Sequence, residues 1–243
     1  GKGWLVVNEK KGEEFDYVYS CCCSPVGGVF AYEARKNGKA FVVVGDQKSE
    51  AYDYVGLPVF SPDGSVVAYD AKIGEKSFVV VGNNRRGEDF DSAWEPVFSA
   101  DGGLTAFAGK KDAKYFIVVG EDRREVPREA HDLVLGRDGK ILAYVAGSYG
   151  RQAIVVGDKE GEEFDHVSAP QVSPDGKTVG YAAKQGEASF VIVGGERGPE
   201  FRAASIKRCR CSRSRNAFAD SAKVGCAAYS SIAESRPRKA NAR

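Results

Sequence analysis

The sequence predicts an all-β fold, a β-propeller of six four-stranded blades of about 37 residues each, closed by N-terminal strands pairing with C-terminal strands. Three observations predict it: apolar strand cores recur at a near-constant interval, a tight-turn motif recurs at the same interval, and no helical periodicity lies between them. The cores are Val6-Val7-Asn8, Val43-Val44-Gly45, Val80-Val81-Gly82, Val118-Val119-Gly120, Val155-Val156-Gly157 and Ile192-Val193-Gly194, at steps of 37, 37, 38, 37 and 37. The turns are Ser61-Pro62-Asp63-Gly64, Ser99-Ala100-Asp101-Gly102, Gly136-Arg137-Asp138-Gly139 and Ser173-Pro174-Asp175-Gly176, with a degenerate Ser24-Pro25-Val26-Gly27.

One period reads as four short strands. In the second repeat the first strand is expected at 58–61. Pro62-Asp63-Gly64 then turns the chain, because Pro presets φ and Gly accepts a positive one. Residues 66–72 alternate apolar and polar, as a half-buried strand does, and Ile73-Gly74-Glu75 turns again. Residues 77–81 are apolar and β-branched, which fits a strand covered on both faces. A polar loop is expected at 83–87 and the outer strand at 88–94.

A blade cannot bury both its faces alone, so neighbours stack, and a ring removes the exposed ends of the stack. The chain begins with what read as a third strand (4–8) and a fourth strand (13–19), and five full repeats follow over about 21–201. The complementary first two strands are expected at 205–222. Each second strand carries a small residue before an aromatic one, as in Ala31-Tyr32, Ala68-Tyr69, Ala106-Phe107, Ala143-Tyr144 and Gly180-Tyr181, and one more step lands on Ala217-Phe218. The domain reading is therefore a propeller over 1–222, its sixth blade built from 4–20 plus 205–222, and a basic, disordered tail at 223–243.

The run Pro58-Val59-Phe60-Ser61-Pro62-Asp63-Gly64, followed by Val67-Ala68-Tyr69, resembles the WD40-like PD40 repeat of TolB-like propellers and of the propeller domains of some prolyl oligopeptidase relatives. The resemblance covers 4–201 well and 205–222 weakly. It implies a propeller whose partners are proteins or peptides, although this fold carries many functions. Neither a TolB amino-terminal domain nor a hydrolase domain is legible beside the repeats, so no catalytic role is expected.

Charge narrows the partner classes. The chain has 35 Lys and Arg against 34 Asp and Glu, so no global field draws it to nucleic acid or to a membrane surface. Residues 202–243 carry eleven basic and two acidic groups, net +9, and residues 1–201 carry 24 and 32, net −8. The tail lacks the regular aromatic interleaving of a nucleic-acid module. No apolar run approaches the roughly 20 residues that span a bilayer. A monomer without membrane or nucleic-acid partners is expected. The chain contains no Met, as a processed chain or a fragment would.

No catalytic, cofactor-binding or metal site emerges. Asp63, Asp101, Asp138 and Asp175 precede Gly in hairpin turns, where Asp bonds its own downstream amides. Asp16, Asp53, Asp91 and Asp165 follow an aromatic residue and are replaced by Arg128 and Arg202 in two repeats; a strand-end hydrogen bond to a neighbouring loop is expected of them. Gly176-Lys177-Thr178 imitates the end of a P-loop, but Gln171 stands where Gly is required. His131 and His166 lie in separate repeats, without metal-ligand spacing. Cys21, Cys22 and Cys23 fall in the first strand of one blade and Cys209 and Cys211 in that of its expected neighbour, while Cys226 lies in the tail. A thiolate site or disulfide across the closure is one reading, and a shifted reading frame in the coding DNA is another.

The expected function is a non-enzymatic scaffold that binds a protein or peptide through rim loops or the channel mouth, without cofactors. Two alternatives stand beside it. One is the propeller fragment of a larger peptidase or carbohydrate-active enzyme, and the other is a structural propeller without an evolved ligand, which the near-equal repeats favour.

Overall fold

A computed structural model describes residues 3–201, apart from 8–9, 83–84, 138, 140–141 and 174. Every regular element among the described residues is a β-strand, and every pairing is antiparallel. None is a helix long and apolar enough to cross a membrane. The first half of the expected sixth blade, with Ala217-Phe218, Cys209, Cys211 and Arg202, lies outside the described residues, as do Cys226, the 223–243 tail, Asp138 and Pro174.

Five sheets follow one another along the chain. The first runs Tyr17–Cys23, Phe30–Lys36, Lys39–Val44, Gln47–Lys48. In the second, Tyr54–Val55 and Val59–Phe60 both pair with Val67–Ile73, followed by Lys76–Val81 and Arg85–Arg86. The third is Ser92–Phe98, Thr105–Lys111, Lys114–Val119, Asp122–Val126, and the fourth is Ala130–Leu135, Leu142–Ala146, Gln152–Val156, Lys159–Phe164. The fifth repeats the second, with His166–Val167 and Gln171–Val172 on Val179–Gln185, then Ala188–Val193 and Glu196–Arg197. Ahead of them Val6–Val7 pairs with Lys10–Lys11, and a single bridge joins Gly3 to Phe15. The same bridge joins Ala40 to Tyr52, Ser77 to Phe90 and Ser189 to Phe201. Residues 3–15 therefore carry the pattern of the outer half of a sheet.

The structure corrects the phase of the repeat. The outer strand expected at 88–94 is in fact Arg85–Arg86, inside the stretch read as a loop, and it closes with the lone Phe90 bridge. Ser92, Ala93 and Trp94 already pair with Lys110, Gly109 and Ala108 of the following sheet. Likewise Tyr17 and Val18, assigned by sequence to the sixth blade, belong to the first full sheet through Arg35 and Ala34. The hydrophobic pattern misled because the first strand begins before a bulge, between Trp94 and Val97 in the third sheet and between Val18 and Cys21 in the first. A bulge interrupts period-two alternation, so one strand reads as two.

The core is a series of packed interfaces between consecutive sheets. Phe15 packs with Tyr32, Ala34 and Val43, while Tyr52 and Val42 of the first sheet join Tyr69, Phe78 and Val80 of the second. Phe90 and Val79 meet Phe107 and Val118, Val126 and Ile117 meet Tyr144 and Val155, and Phe164 and Ile154 meet Tyr181 and Phe190. The aromatic residue of each second strand thus faces the preceding sheet. Its small predecessor, Ala31, Ala68, Ala106 or Ala143, is fully buried on the other face.

Candidate functional site

At four of the described seams two side chains of an aromatic-Asp motif fasten one sheet to the next. The ring goes inward: Phe15 meets Tyr32 edge-on at 6.3 Å between centroids, Tyr52 meets Tyr69 at 6.1 Å, and Phe90 meets Phe107 at 5.7 Å. The carboxylate of the following residue stays at the rim and accepts a backbone N–H from the two-residue hairpin joining the second and third strands of the next sheet. Asp16 accepts from Asn37 at 2.7 Å, Asp53 from Gly74 at 2.7 Å, Asp91 from Asp112 at 2.9 Å and Asp165 from Gly186 at 2.6 Å. The hairpin residue bonded takes positive φ in every case, from 51° at Asp112 to 59° at Gly74 and Gly186, so the carboxylate caps a conformation that L residues otherwise avoid. The bond to a neighbouring loop expected from sequence is present at all four. The Lys39 amine, and then the Gly74 N–H, hold the Asp53 carboxyl below its usual range.

At the seam between the third and fourth sheets both parts of this latch are missing. By sequence spacing Pro127 stands at the ring position and is exposed, while the residue paired with Tyr115, as Phe90 is with Ser77, is the smaller, buried Val126; Arg128, which cannot accept a hydrogen bond, stands at the Asp position. The hairpin there is no longer two residues: 147–151 separate Leu142–Ala146 from Gln152–Val156, both shortened to five residues. Arg128 pairs with Glu160 and with Glu163 (2.7 Å), and Arg151 pairs with Glu163 at 2.8 Å. Arg151 and Arg128 together hold the Glu163 carboxyl below its ordinary value.

A cleft of about 620 Å³ lies at the latched seam between the second and third sheets, and two adjoining clefts lie at this seam. One, of about 190 Å³, is lined by Tyr144, Val155, Val126, Pro127, Arg124 and Arg128. The other, of about 570 Å³, opens at the rim between Tyr115, Arg128, Ser148, Arg151, Glu160 and Glu163. Tyr149, 82% exposed, stands on the hairpin, its ring 5.6 Å from that of His166.

Gln152 anchors the other side of this hairpin. It occupies the position that is Ala40, Ser77 and Ser189 in other sheets, and is 4% exposed. Its Oε1 accepts the Val167 N–H at 3.1 Å and lies 2.9 Å from His166 Nδ1, while its Nε2 lies 3.3 Å from His131 Nε2. His131 Nδ1 is 3.1 Å from Asp132 Oδ2. The two histidines, separate in sequence, therefore share one buried amide. Burial lowers the His166 pKa, favouring the neutral ring. Sequence alone held a signal for this seam, the Arg at an Asp position and a Gln at a small-residue position, but not its consequence.

The other singled-out residues have structural partners. Asp63, Asp101 and Asp175 accept from Ser61 (2.6 Å), Ser99 (2.6 Å) and Ser173 (2.5 Å) and from backbone amides within their turns. The Lys177 and Thr178 amides are spent on Asp175 and Ser173. Cys22 donates from Sγ to the Pro58 carbonyl at 3.1 Å, and Cys21, Cys22 and Cys23 are all free thiols. Among the described residues, no group of three His, Cys, Asp or Glu side chains is arranged to hold a metal.

No protein-family model matches the sequence, and no curated protein matches it. Solved structures do. TolB from Acinetobacter baumannii is 17% identical and superposes with a TM-score of 0.50 over 79% of this chain and 55% of its own. The β-propeller domain of the Trilobed protease from Pyrococcus furiosus is 16% identical, with a TM-score of 0.50 over 79% of this chain and 71% of that domain. Pyrococcus horikoshii acylaminoacyl peptidase is 13% identical, with a TM-score of 0.53 over 79% of this chain and 41% of its own. The chain thus spans little more than half the length of the TolB structure it matches. Likeness at this level of identity speaks to architecture, and the architecture is that of a β-propeller of the kind found in TolB and in peptidase propeller domains.

Proposed function

We propose that the chain is a non-enzymatic propeller that binds a protein or peptide at its rim, at the seam between the third and fourth sheets. The carrying observation is local: among the described residues four seams are latched by an aromatic-Asp pair, and this one instead has Pro127-Arg128 and a widened hairpin, with two clefts beside them. Repeats hold alike what every sheet needs, so the described seam that departs in ring, charge and hairpin together is where a function of its own belongs. We extend the proposal to the ring. Residues 205–222 supply the first two strands of a sixth blade whose outer half is Val6–Val7 and Lys10–Lys11, and the closed ring acts as a monomer without nucleic-acid or membrane partners.

The test is selection of a random peptide library on the chain, repeated on a variant whose 147–151 hairpin is replaced by Asn-Gly. Peptides retained by the parent and lost by the variant support the rim site; equal retention sinks it. A second reading is favoured by the peptidase neighbours, one of which aligns over 41% of its own length: the chain is the propeller of a larger peptidase and the seam guides its substrate. Hydrolase-coding sequence in the same reading frame supports that reading, and its absence there removes it.

A further inference from the structure

We propose that the seam between the third and fourth sheets is a charge key, a reversed set of ion pairs that lets the fourth sheet follow the third and sets both against every other described sheet, of this molecule or of a second copy. The inference stands apart from the peptide-binding reading. It starts from one position on each side of a seam. On the side that precedes it, Glu13, Glu50, Glu88 and Glu162 stand two residues before Phe15, Tyr52, Phe90 and Phe164, whereas Arg124 stands two before the corresponding Val126. On the side that follows, Lys48, Arg86, Arg123 and Arg197 pair in register with Val43, Val80, Val118 and Ile192. In the fourth sheet the residue in that register, opposite Val155, is Glu160.

Among the described seams the others keep one polarity. Glu13 takes Lys48 and Lys36, each at 2.9 Å, Glu88 takes Arg123 at 2.5 Å and Lys111 at 2.7 Å, and Glu162 takes Arg197 at 2.6 Å. Between the first and second sheets the signs are the same, Glu50 before and Arg86 after, with Arg86 turned to Asp89. At the third seam in this series of sheets both signs are reversed: Arg124 pairs with Asp158 and Arg128 with Glu160, cations before the seam and carboxylates after it. One reversal alone would set like charges face to face. Two together keep this seam complementary and make its faces misfits elsewhere, since Arg124 would meet Lys48, Arg86, Arg123 or Arg197, and Glu160 would meet Glu13, Glu50, Glu88 or Glu162. The apolar layer cannot discriminate in this way, because Tyr32, Tyr69, Tyr144 and Tyr181 are the same residue at the same position. Sheets that stack head to tail on like interfaces invite misordered and intermolecular stacking. Exposed ion pairs add little stability, but repulsion at a wrong junction selects against it.

The test refolds the full chain from denaturant and reads the monomer fraction by size exclusion with light scattering. In one variant Arg124→Glu, Arg128→Gln, Asp158→Lys and Glu160→Lys together give this seam the common polarity while keeping it complementary. Its unfolding midpoint is expected to stay close to the parent's and its monomer yield to fall about threefold or more, the loss appearing as dimers and larger species. A second variant, Asp158→Lys with Glu160→Lys alone, sets cations on both sides of the seam. Its midpoint is expected to fall below the parent's at low salt and to return towards it at about 1 M salt, where the screening length is about 3 Å. That comparison decides even if the first variant does not fold. A monomer yield equal to the parent's in the first variant, or a midpoint in the second that shows no salt-dependent loss, overturns the proposal.

Discussion

The ring of Phe90 meets that of Phe107 edge-on, with centroids 5.7 Å apart and planes at 89°, across the boundary between the second and third sheets. Phe90 also packs against Phe116 at 6.3 Å and is fully buried, so it is the hub of its interface. Phe90→Ala is expected to cost about 3–5 kcal/mol, measured by denaturant unfolding, because both the transfer energy and the cavity oppose it. The same ring explains Gly109, which stands where other sheets have Ala34, Ala71, Ala146 and Ala183. A Cβ at 109 would lie 2.7 Å from a Phe90 ring carbon, so Gly109→Ala is expected to destabilise although the repeat has Ala there. A stability equal to the parent's contradicts this packing.

Ser24 tests the turn motif by its defect. Its hydroxyl is buried without a partner, because Val26 stands where Asp63, Asp101 and Asp175 receive the corresponding Ser hydroxyl. Val26 itself is 72% exposed, so its replacement loses little burial. Val26→Asp is expected to raise stability by about 1 kcal/mol in denaturant unfolding, the net worth of one hydrogen bond.

Acid should weaken the fold in a stated order. The Ser61 and Ser65 hydroxyls hold the Asp63 carboxyl down to about 2, below its unfolded value, so its contribution is complete above the unfolded pKa and is lost as pH falls through about 2. Glu13, Glu88 and Glu163 are lowered by their Lys and Arg partners and act with the same sign. His166 is lowered by burial, so the unfolded chain takes up its proton first and stability begins to fall below about pH 6.5. Unfolding midpoints measured from pH 8 downward should show this early decline, and His166→Asn should flatten it; a parent profile flat to pH 5 contradicts the neutral His166 arrangement.

How far the sequence can be read follows from which interactions are local. Turns such as Ser61-Pro62-Asp63-Gly64 are legible because Asp63 bonds groups within two residues of itself. The strand cores are legible because burial on both faces leaves runs such as Val79 and Val80. The outer strands were misplaced because Arg85–Arg86 carries no apolar signature, and the bulge after Trp94 breaks the alternation that marks an inner strand. The Asp53 contact spans 21 residues, so sequence gave only its repetition and the structure its partner. The joining of His131 to His166 through Gln152 was not legible, since it depends on two sheets being adjacent.

Among the described residues the latch is present at four seams and absent at one, and amide hydrogen exchange reads it directly. The N–H groups of Asn37, Gly74, Asp112 and Gly186, held by carboxylates, should exchange on the order of tenfold or more slower than that of Tyr149 in the unlatched hairpin, and Asp53→Ala should release Gly74 alone. Equal exchange at all five positions, or a Gly74 amide indifferent to Asp53→Ala, would contradict it.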